Sequence, residues 1–395
     1  MTTTIRTIFA SFAIIVLLAA PVSAGALRTQ ISIVDGQWHL NGRITYIGTP
    51  AEGLLMNVRM VNAVFEDKAR SGFDPDENTS EFIKNIPVYV AHGVRAFTIS
   101  LQGGFPGYEG AVNSAFNPDG SLRKSYLQRV KRVIEACDRN GAAVILGCYY
   151  QRQDQILRDE KAVRIGVVNT VRWLAKSGYT NVVLEIANEF NHSGFDHPIL
   201  KKSEGQVELI RLAKETWPKL LVSTSGLGNG KLPDNVCRAS DFLLIHFNGT
   251  KLDDIPKRIQ ALKKYGKPII CNEDQKYGEQ AAEAARLSVE HGASWGFMHE
   301  KINQHFPFHF KGADDDLKVY QMLKKLTTLV SAELYFPPPE SNGGCRKLTD
   351  SEHVRTFVGM DLEKLFQNCF RRKNNRNFLS QSRGSKSPQA QSKLH

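Results

Sequence analysis

The chain has 395 residues, enough for one large domain of the α/β barrel kind or two smaller ones, and with 42% apolar and 23% charged residues it has the composition of an ordinary globular protein whose core needs no staples. The net charge of +11 is unevenly spread: residues 341–395 hold eleven Lys and Arg against four Asp and Glu, so the basicity belongs to the tail and gives no reason to expect nucleic acid on the folded body. Six cysteines without a C-x-x-C spacing suggest neither a zinc ribbon nor a redox motif, and Cys148 and Cys271, set in apolar runs, read as small buried hydrophobes.

Residues 1–24 have the make-up of a cleaved secretory signal: Arg6, an apolar run from Ile8 to Ala20, then Pro21-Val22-Ser23-Ala24 with small residues before the cut. Export to a secreted or periplasmic location follows, with an uncleaved membrane anchor as the alternative; no later stretch is long and apolar enough to cross a bilayer. Next, Ile31 to Leu40 reads as a hairpin turning at Asp35-Gly36, leading to a first strand around Thr45 to Gly48. Leu54 to Ala69 has helical spacing.

A βα rhythm then sets in. A helix is expected over Asn78 to His92, interrupted near Pro87, then a second strand over Val94 to Leu101. Helix Ser121 to Asn140 precedes a third strand, Ala142 to Tyr149, and helix Glu160 to Lys176 precedes a fourth, Val182 to Ala187, inside the run Asn181 to Phe190. The second half continues with helix Glu204 to Thr216, strand Lys219 to Ser223, a short helix or turn over Pro233 to Ala239 and strand Asp241 to His246. Helix Leu252 to Tyr265, strand Pro268 to Asn272, helix Glu279 to His291, strand Ala293 to Met298 and a closing helix Asp314 to Ser331 complete the set. Eight strand candidates alternating with helices predict a single (β/α)8 TIM barrel over residues 25–336. An open doubly wound sheet would advertise a G-x-G-x-x-G loop, which is absent. Pro337-Pro338-Pro339 opens a basic tail, residues 337–395, that reads as largely disordered.

The chemistry concentrates at two strand ends. Asn188-Glu189 follows the fourth strand and Asn272-Glu273 the seventh, so in a barrel both carboxylates would face one mouth. Paired carboxyls suit glycoside hydrolysis, one protonating the leaving oxygen and the other attacking the anomeric carbon. The acid would need a raised pKa, and the nucleophile must stay ionised beside donors or a cation. A separation of about 5–5.5 Å would imply retention, and about 6.5–9.5 Å inversion. His305 and His309 flank Pro307, which argues against a metal-binding helix, and no other His or Cys spacing suggests a metal.

With Asn188-Glu189 and Glu273 in these places, the chain resembles the cellulase-like (β/α)8 retaining enzymes of glycoside hydrolase clan A, a divergent branch close to family 5, over roughly Thr45 to Ala332. The resemblance implies Glu189 as acid/base, Asn188 on a sugar hydroxyl and Glu273 as nucleophile, with no cofactor. It also implies Arg95, in the pattern Val94-Arg95, as support for the nucleophile, and His246 lining the site. Asn248 stands where the family often has a tyrosine touching the nucleophile, and Tyr149 or Tyr150 where it often has a histidine. His299 or Met298 falls near the family's tryptophan platform, with Trp295 earlier in its strand. Tyr149, Tyr150, Asn248, Trp295 and His299 are therefore substrate-binding candidates. The expectation is a secreted, monomeric retaining hydrolase of a β-linked polysaccharide or oligosaccharide. The alternative is a non-catalytic carbohydrate-binding barrel, and the basic tail is a candidate for anionic surfaces.

Overall fold

The computed structural model describes residues 29–67, 69–104 and 111–329; the expected leader and tail lie outside them. At the start, β1 (Ile31–Val34), β2 (Gln37–Leu40) and β3 (Arg43–Ile44) form a small antiparallel sheet. Asp35 and Gly36 turn β1 into β2 with φ of 50° and 74°, the left-handed pair that a two-residue hairpin loop requires. Trp38 of β2 is fully buried and meets Phe242 edge-on, with ring centroids 5.3 Å apart.

Eight parallel barrel strands follow: β4 (Asn57–Arg59), β5 (Ala96–Ser100), β6 (Ala143–Tyr149), β7 (Val182–Ala187), β8 (Val222–Ser223), β9 (Leu243–His246), β10 (Ile269–Glu273) and β11 (Gly296–Phe297). Six run in the order β11-β4-β5-β6-β7-β8, and β9 pairs with β10. A parallel bridge between Ser225 and Leu244 joins β8 to β9, and bridges at Ile270–Ser294 and Asp274–Phe297 join β10 to β11, closing the ring. At the β11–β4 contact only a glycine fits, because a Cβ on Gly296 would lie 2.1 Å from Asn57 Oδ1.

The helices are α1 (Pro75–Ala91), α2 (Lys124–Arg139), α3 (Glu160–Ser177), α4 (Pro198–Lys201), α5 (Ser203–Thr216), α6 (Asp234–Ala239), α7 (Ile255–Leu262), α8 (Gly278–Glu290) and α9 (Leu317–Thr327). Their apolar faces pack on outward strand residues such as Phe97, Val144, Leu184 and Ile245 in the larger core cluster. Cys137, Cys148, Cys237 and Cys271 are buried and free.

Two expectations fail in the first βα unit. Thr45 to Gly48 is a turn, and the first barrel strand is Asn57–Arg59 within the stretch expected to be helical. Leu55, Val58 and Val61 imitate helical spacing because both faces of this strand are buried: Met56, Val58 and Met60 point outward, while Leu55 joins the interior cluster. Helix α1 also starts earlier than expected and runs through Pro87 unbroken. Asp74 caps it by accepting from the amides of Asp76 and Glu77, with Pro75 at the first helical position.

The barrel interior changes character along its axis. A lower layer of Ala96, Ala143, Ile145, Val183, Leu244 and Ile270 is sealed by Leu55, Trp38 and Ile31. Side chains on one face of a strand recur every second residue. Two residues beyond that layer the interior becomes polar, with Thr98, Glu185 and Asn272 all buried. Arg59, His246 and Glu273 sit at the carboxyl ends of their strands, where a barrel presents its mouth.

Candidate active site

Glu189 follows β7, and its backbone is held on three sides. Asn188 N–H donates to Tyr149 O at 2.9 Å, Glu189 N–H to Ser225 Oγ at 3.0 Å and Phe190 N–H to Ser225 O at 3.0 Å. Glu189 itself has φ of 51°, left-handed for a residue with a Cβ, a conformation that costs about 1–3 kcal/mol and persists where surroundings over-determine it. Glu273 ends β10 at a register irregularity against β9, between Cys271 and Glu273.

The two carboxylates meet around His246. Its Nδ1 lies 3.3 Å from Glu189 Oε1 and 3.6 Å from Glu273 Oε2. One ligating atom from each of Glu189, His246 and Glu273 falls within 4.8 Å of the other two. Arg59 of β4, fully buried, places Nε 2.7 Å from Glu273 Oε2, and its Nη2 donates to Asn188 Oδ1 at 2.6 Å. Asn188 in turn donates from Nδ2 to Gln151 Oε1 at 3.1 Å. Asn248 Nδ2 donates to Glu273 Oε1, and its Oδ1 accepts from Gln275 N at 3.1 Å. Tyr150 is buried beside the guanidinium of Arg59, 5.9 Å from the ring centroid.

Charge is tightly managed here. Burial favours a neutral Glu189, but the hydrogen bond and charge of His246, with Arg59 and His192, outweigh it and hold the carboxyl below its ordinary 4.5. Burial likewise opposes charge on His246, yet Glu273 and Glu189 raise it above 6.5. Arg59 is raised despite burial by Glu273, Tyr150 and Glu185. Below the pair, Glu185 of β7 is pushed up from 4.5 mainly by burial, against the pull of Arg59, His246 and Ser225.

Among the described residues, Glu189, His246 and Glu273 form the one group of three or more metal-ligating side chains brought this close. The guanidinium already on Glu273, and an imidazole between the carboxylates whose protonated form they favour, supply positive charge where a divalent ion would bring it, so the donor set fits proton transfer better than a metal.

Of the residues singled out by sequence, the structure gathers Glu189, Glu273, Asn188, His246, Asn248 and Tyr150. Asn248 makes a direct contact to Glu273 in the place where a tyrosine was looked for. Arg95 is not brought there. It precedes β5, at the amino end of the barrel, and its Nη1 donates to Val90 O at 3.0 Å and Val94 O at 3.2 Å. Its expected place beside Glu273 is taken by Arg59. Tyr149 turns outward, stacking on Phe116 at 5.2 Å and donating its hydroxyl to Val163 O at 2.5 Å, so it packs β6 against α3. Trp295 is wholly buried, stacked on Phe297 and donating to Asp274 Oδ2 at 3.0 Å, which makes it a wall residue without a face for a sugar. His299 packs on Tyr277 and Phe297, with centroids 4.9 and 5.8 Å away. Arg59, Gln151, Glu185 and Ser225 went unnoticed in the sequence. The alternation Met56, Val58, Met60 was the available signal for the strand that carries Arg59.

No family model matches the chain, and no curated protein matches it by sequence. Solved structures do. A candidate glycoside hydrolase of Bacteroides vulgatus aligns at 12% identity and TM-score 0.54 over 76% of this chain, which spans 60% of that protein's length. A broad-specificity family 5 endoglucanase of Clostridium longisporum aligns at 11% identity and TM-score 0.51, covering 72% of this chain and 99% of that one. A glycoside hydrolase family 5 enzyme of Prevotella bryantii aligns at 13% identity and TM-score 0.50, with the same coverage. The chain shares the cellulase-like (β/α)8 fold of these proteins.

Proposed function

Proceeding from a cellulase-like barrel with two carboxylates at its mouth, we propose that this protein is a retaining glycoside hydrolase acting on a β-linked glycan. The observation that carries the reading is the approach of Glu189 and Glu273, whose nearest oxygens are within 4.8 Å, on the scale of a double-displacement site and too close to leave room for an inverting water. Glu273 is the nucleophile: Arg59 and Asn248 hold both its oxygens in place. Glu189 is the acid/base, and His246 at 3.3 Å shares a proton with it. The two titrate as a unit, so the pair as a whole supplies the proton that the leaving oxygen takes. A depressed Glu189 is ionised at the start of the second step, in which it must accept a proton from water. Asn188, fixed by Arg59 and Gln151, is placed to bind a sugar hydroxyl. The leader composition of residues 1–24 supports export, and the basic tail supports contact with anionic surfaces.

The test is turnover of an aryl β-glycoside panel and of soluble β-glucans. Wild-type protein is expected to hydrolyse at least one, with a bell-shaped pH profile on the acid side of neutral. Glu189→Ala and Glu273→Ala are each expected to lose about 10²–10⁴-fold in kcat on unactivated glycan. Full activity in either variant removes its assigned role.

A second reading, a carbohydrate-binding barrel without turnover, is favoured by the low pKa of Glu189 in the free protein. A 2-fluoroglycoside separates the two. Mass added at Glu273 supports the enzyme, whereas sugar binding without labelling supports the binding protein.

A further inference from the structure

One fully buried ionisable group of the barrel interior is used by neither step above. Glu185 is fully buried on β7, four residues before Glu189 and on the inward face of the strand. Burying a carboxyl without partners is costly, so its partners carry information. Its Oε1 lies 2.5 Å from Ser225 Oγ. That hydroxyl already accepts the Glu189 amide at 3.0 Å, and of the two acceptors open to its own hydrogen Glu185 is much nearer than Ala187 O at 3.4 Å. The other oxygen, Oε2, accepts from Asn272 Nδ2 at 3.3 Å. Asn272 immediately precedes Glu273, at the irregularity of β10 that delivers it.

One chain of hydrogen bonds therefore runs from the Glu189 backbone through Ser225 to Glu185 and on to Asn272, the residue before Glu273. Both oxygens of Glu185 accept hydrogen bonds, which favour its ionised form against the burial that pushes the carboxyl up. The groups that face this network come from several strands: Arg59 on β4, Cys148 and Tyr150 at β6, Glu189 after β7, with His192 beyond it, His246 on β9 and Glu273 on β10. Arg59 and His246 pull the Glu185 carboxyl down, and Glu273 pushes it up.

We propose that Glu185 is a positioning residue for the carboxylate pair, tying Glu189 through Ser225 and Glu273 through Asn272 and supplying a negative charge that strengthens the hold of the Glu189–His246 unit on its proton. The proposal rests on the hydrolase reading for its kinetic consequence. It accounts for the left-handed backbone at Glu189, which the Ser225 contact holds, and for a carboxyl in a layer where an apolar residue would pack more cheaply.

The experiment uses the full chain with Glu185→Gln and Ser225→Ala, circular dichroism confirming the fold of each. Glu185→Gln keeps the shape and removes the charge. It is expected to lower kcat about tenfold with KM within about threefold, and to move both limbs of the pH profile to lower pH by about half a unit, since carboxylates and imidazolium alike lose protons more readily once a neighbouring anion is gone. Ser225→Ala cuts the link and keeps the charge, so kcat falls while the limbs stay in place. The His246 imidazole, followed by NMR and assigned by its absence in His246→Asn, is expected to titrate at lower pH in Glu185→Gln, independent of turnover. An unmoved His246 resonance overturns the proposal, as does an unshifted profile in an active variant. Should Glu185→Gln fail to fold, wild-type kcat in Ser225→Ala overturns it. Wild-type protein that turns over no glycan overturns the hydrolase reading instead, and the His246 titration then still decides the role of Glu185.

Discussion

Two arginines separate a site residue from a structural one. Arg59 is buried and shared between Glu273 and Asn188, whereas Arg95 closes carbonyls at the end of α1. Removing one partner of a buried ion pair leaves the other charge without compensation, at a cost of about 3–5 kcal/mol. Arg59→Ala is therefore expected to destabilise the fold by that amount in urea titration and to abolish turnover measured below its melting temperature. Arg95→Ala is expected to keep kcat within about twofold, because it removes only hydrogen bonds to backbone carbonyls. Equal activity losses in the two variants would reverse the assignment. Nothing in the local sequence distinguishes them: Val58-Arg59 and Val94-Arg95 are the same dipeptide. The difference lies in which end of a barrel strand each occupies.

At the scale of elements, the barrel strands divide the work along their length. The inward row climbs from Leu55 through Asn57 to Arg59 on β4, from Val183 to Glu185 on β7, from Leu244 to His246 on β9 and from Ile270 to Asn272 on β10. Apolar side chains fill the base and polar or ionisable ones reach the mouth, so the polar layer rests on a packed floor. The N-terminal sheet belongs to that floor through Trp38. Trp38→Ala is expected to cost about 3–5 kcal/mol by cavity formation, read as a shift of the urea midpoint at unchanged slope. Activity at temperatures where the variant stays folded is expected to remain within a few-fold of wild type. A stability change under 1 kcal/mol would show that the sheet does not seal the barrel.

For the molecule as a whole, the site sets a pH window. Glu189 titrates below its ordinary 4.5 in the fold, so its contribution to stability is complete above 4.5 and is lost as pH falls through the depressed value. His246 titrates above 6.5, so its contribution is complete below 6.5 and is lost as pH rises through the raised value. Between 4.5 and 6.5 both are present. Glu66, depressed against burial by Arg123 and Arg129, reinforces the acid side. The melting temperature of wild type, less that of His246→Asn, is expected to be greatest in this interval and to shrink at alkaline pH. A difference that grows with pH would contradict the charged imidazole. The same window covers the expected acidic optimum, so stability and proton supply draw on one pair.

The sequence by itself determined the repeat of strand and helix, the glycine stops, and the position of Asn188, Glu189 and Glu273 at the carboxyl ends of strands. Each is a local pattern: an apolar run, a turn residue, a polar pair. Tertiary structure alone decided where the first barrel strand lies, which arginine meets Glu273, and that Tyr149 and Trp295 face away from the mouth. The physical reason is that barrel strands are buried on both faces, so hydropathy does not tell inside from outside, and phase is fixed only when β4 pairs with β11 and the ring closes. Only then do Arg59, Glu185, His246 and Glu273, drawn from four strands, share one interior and set one another's charge.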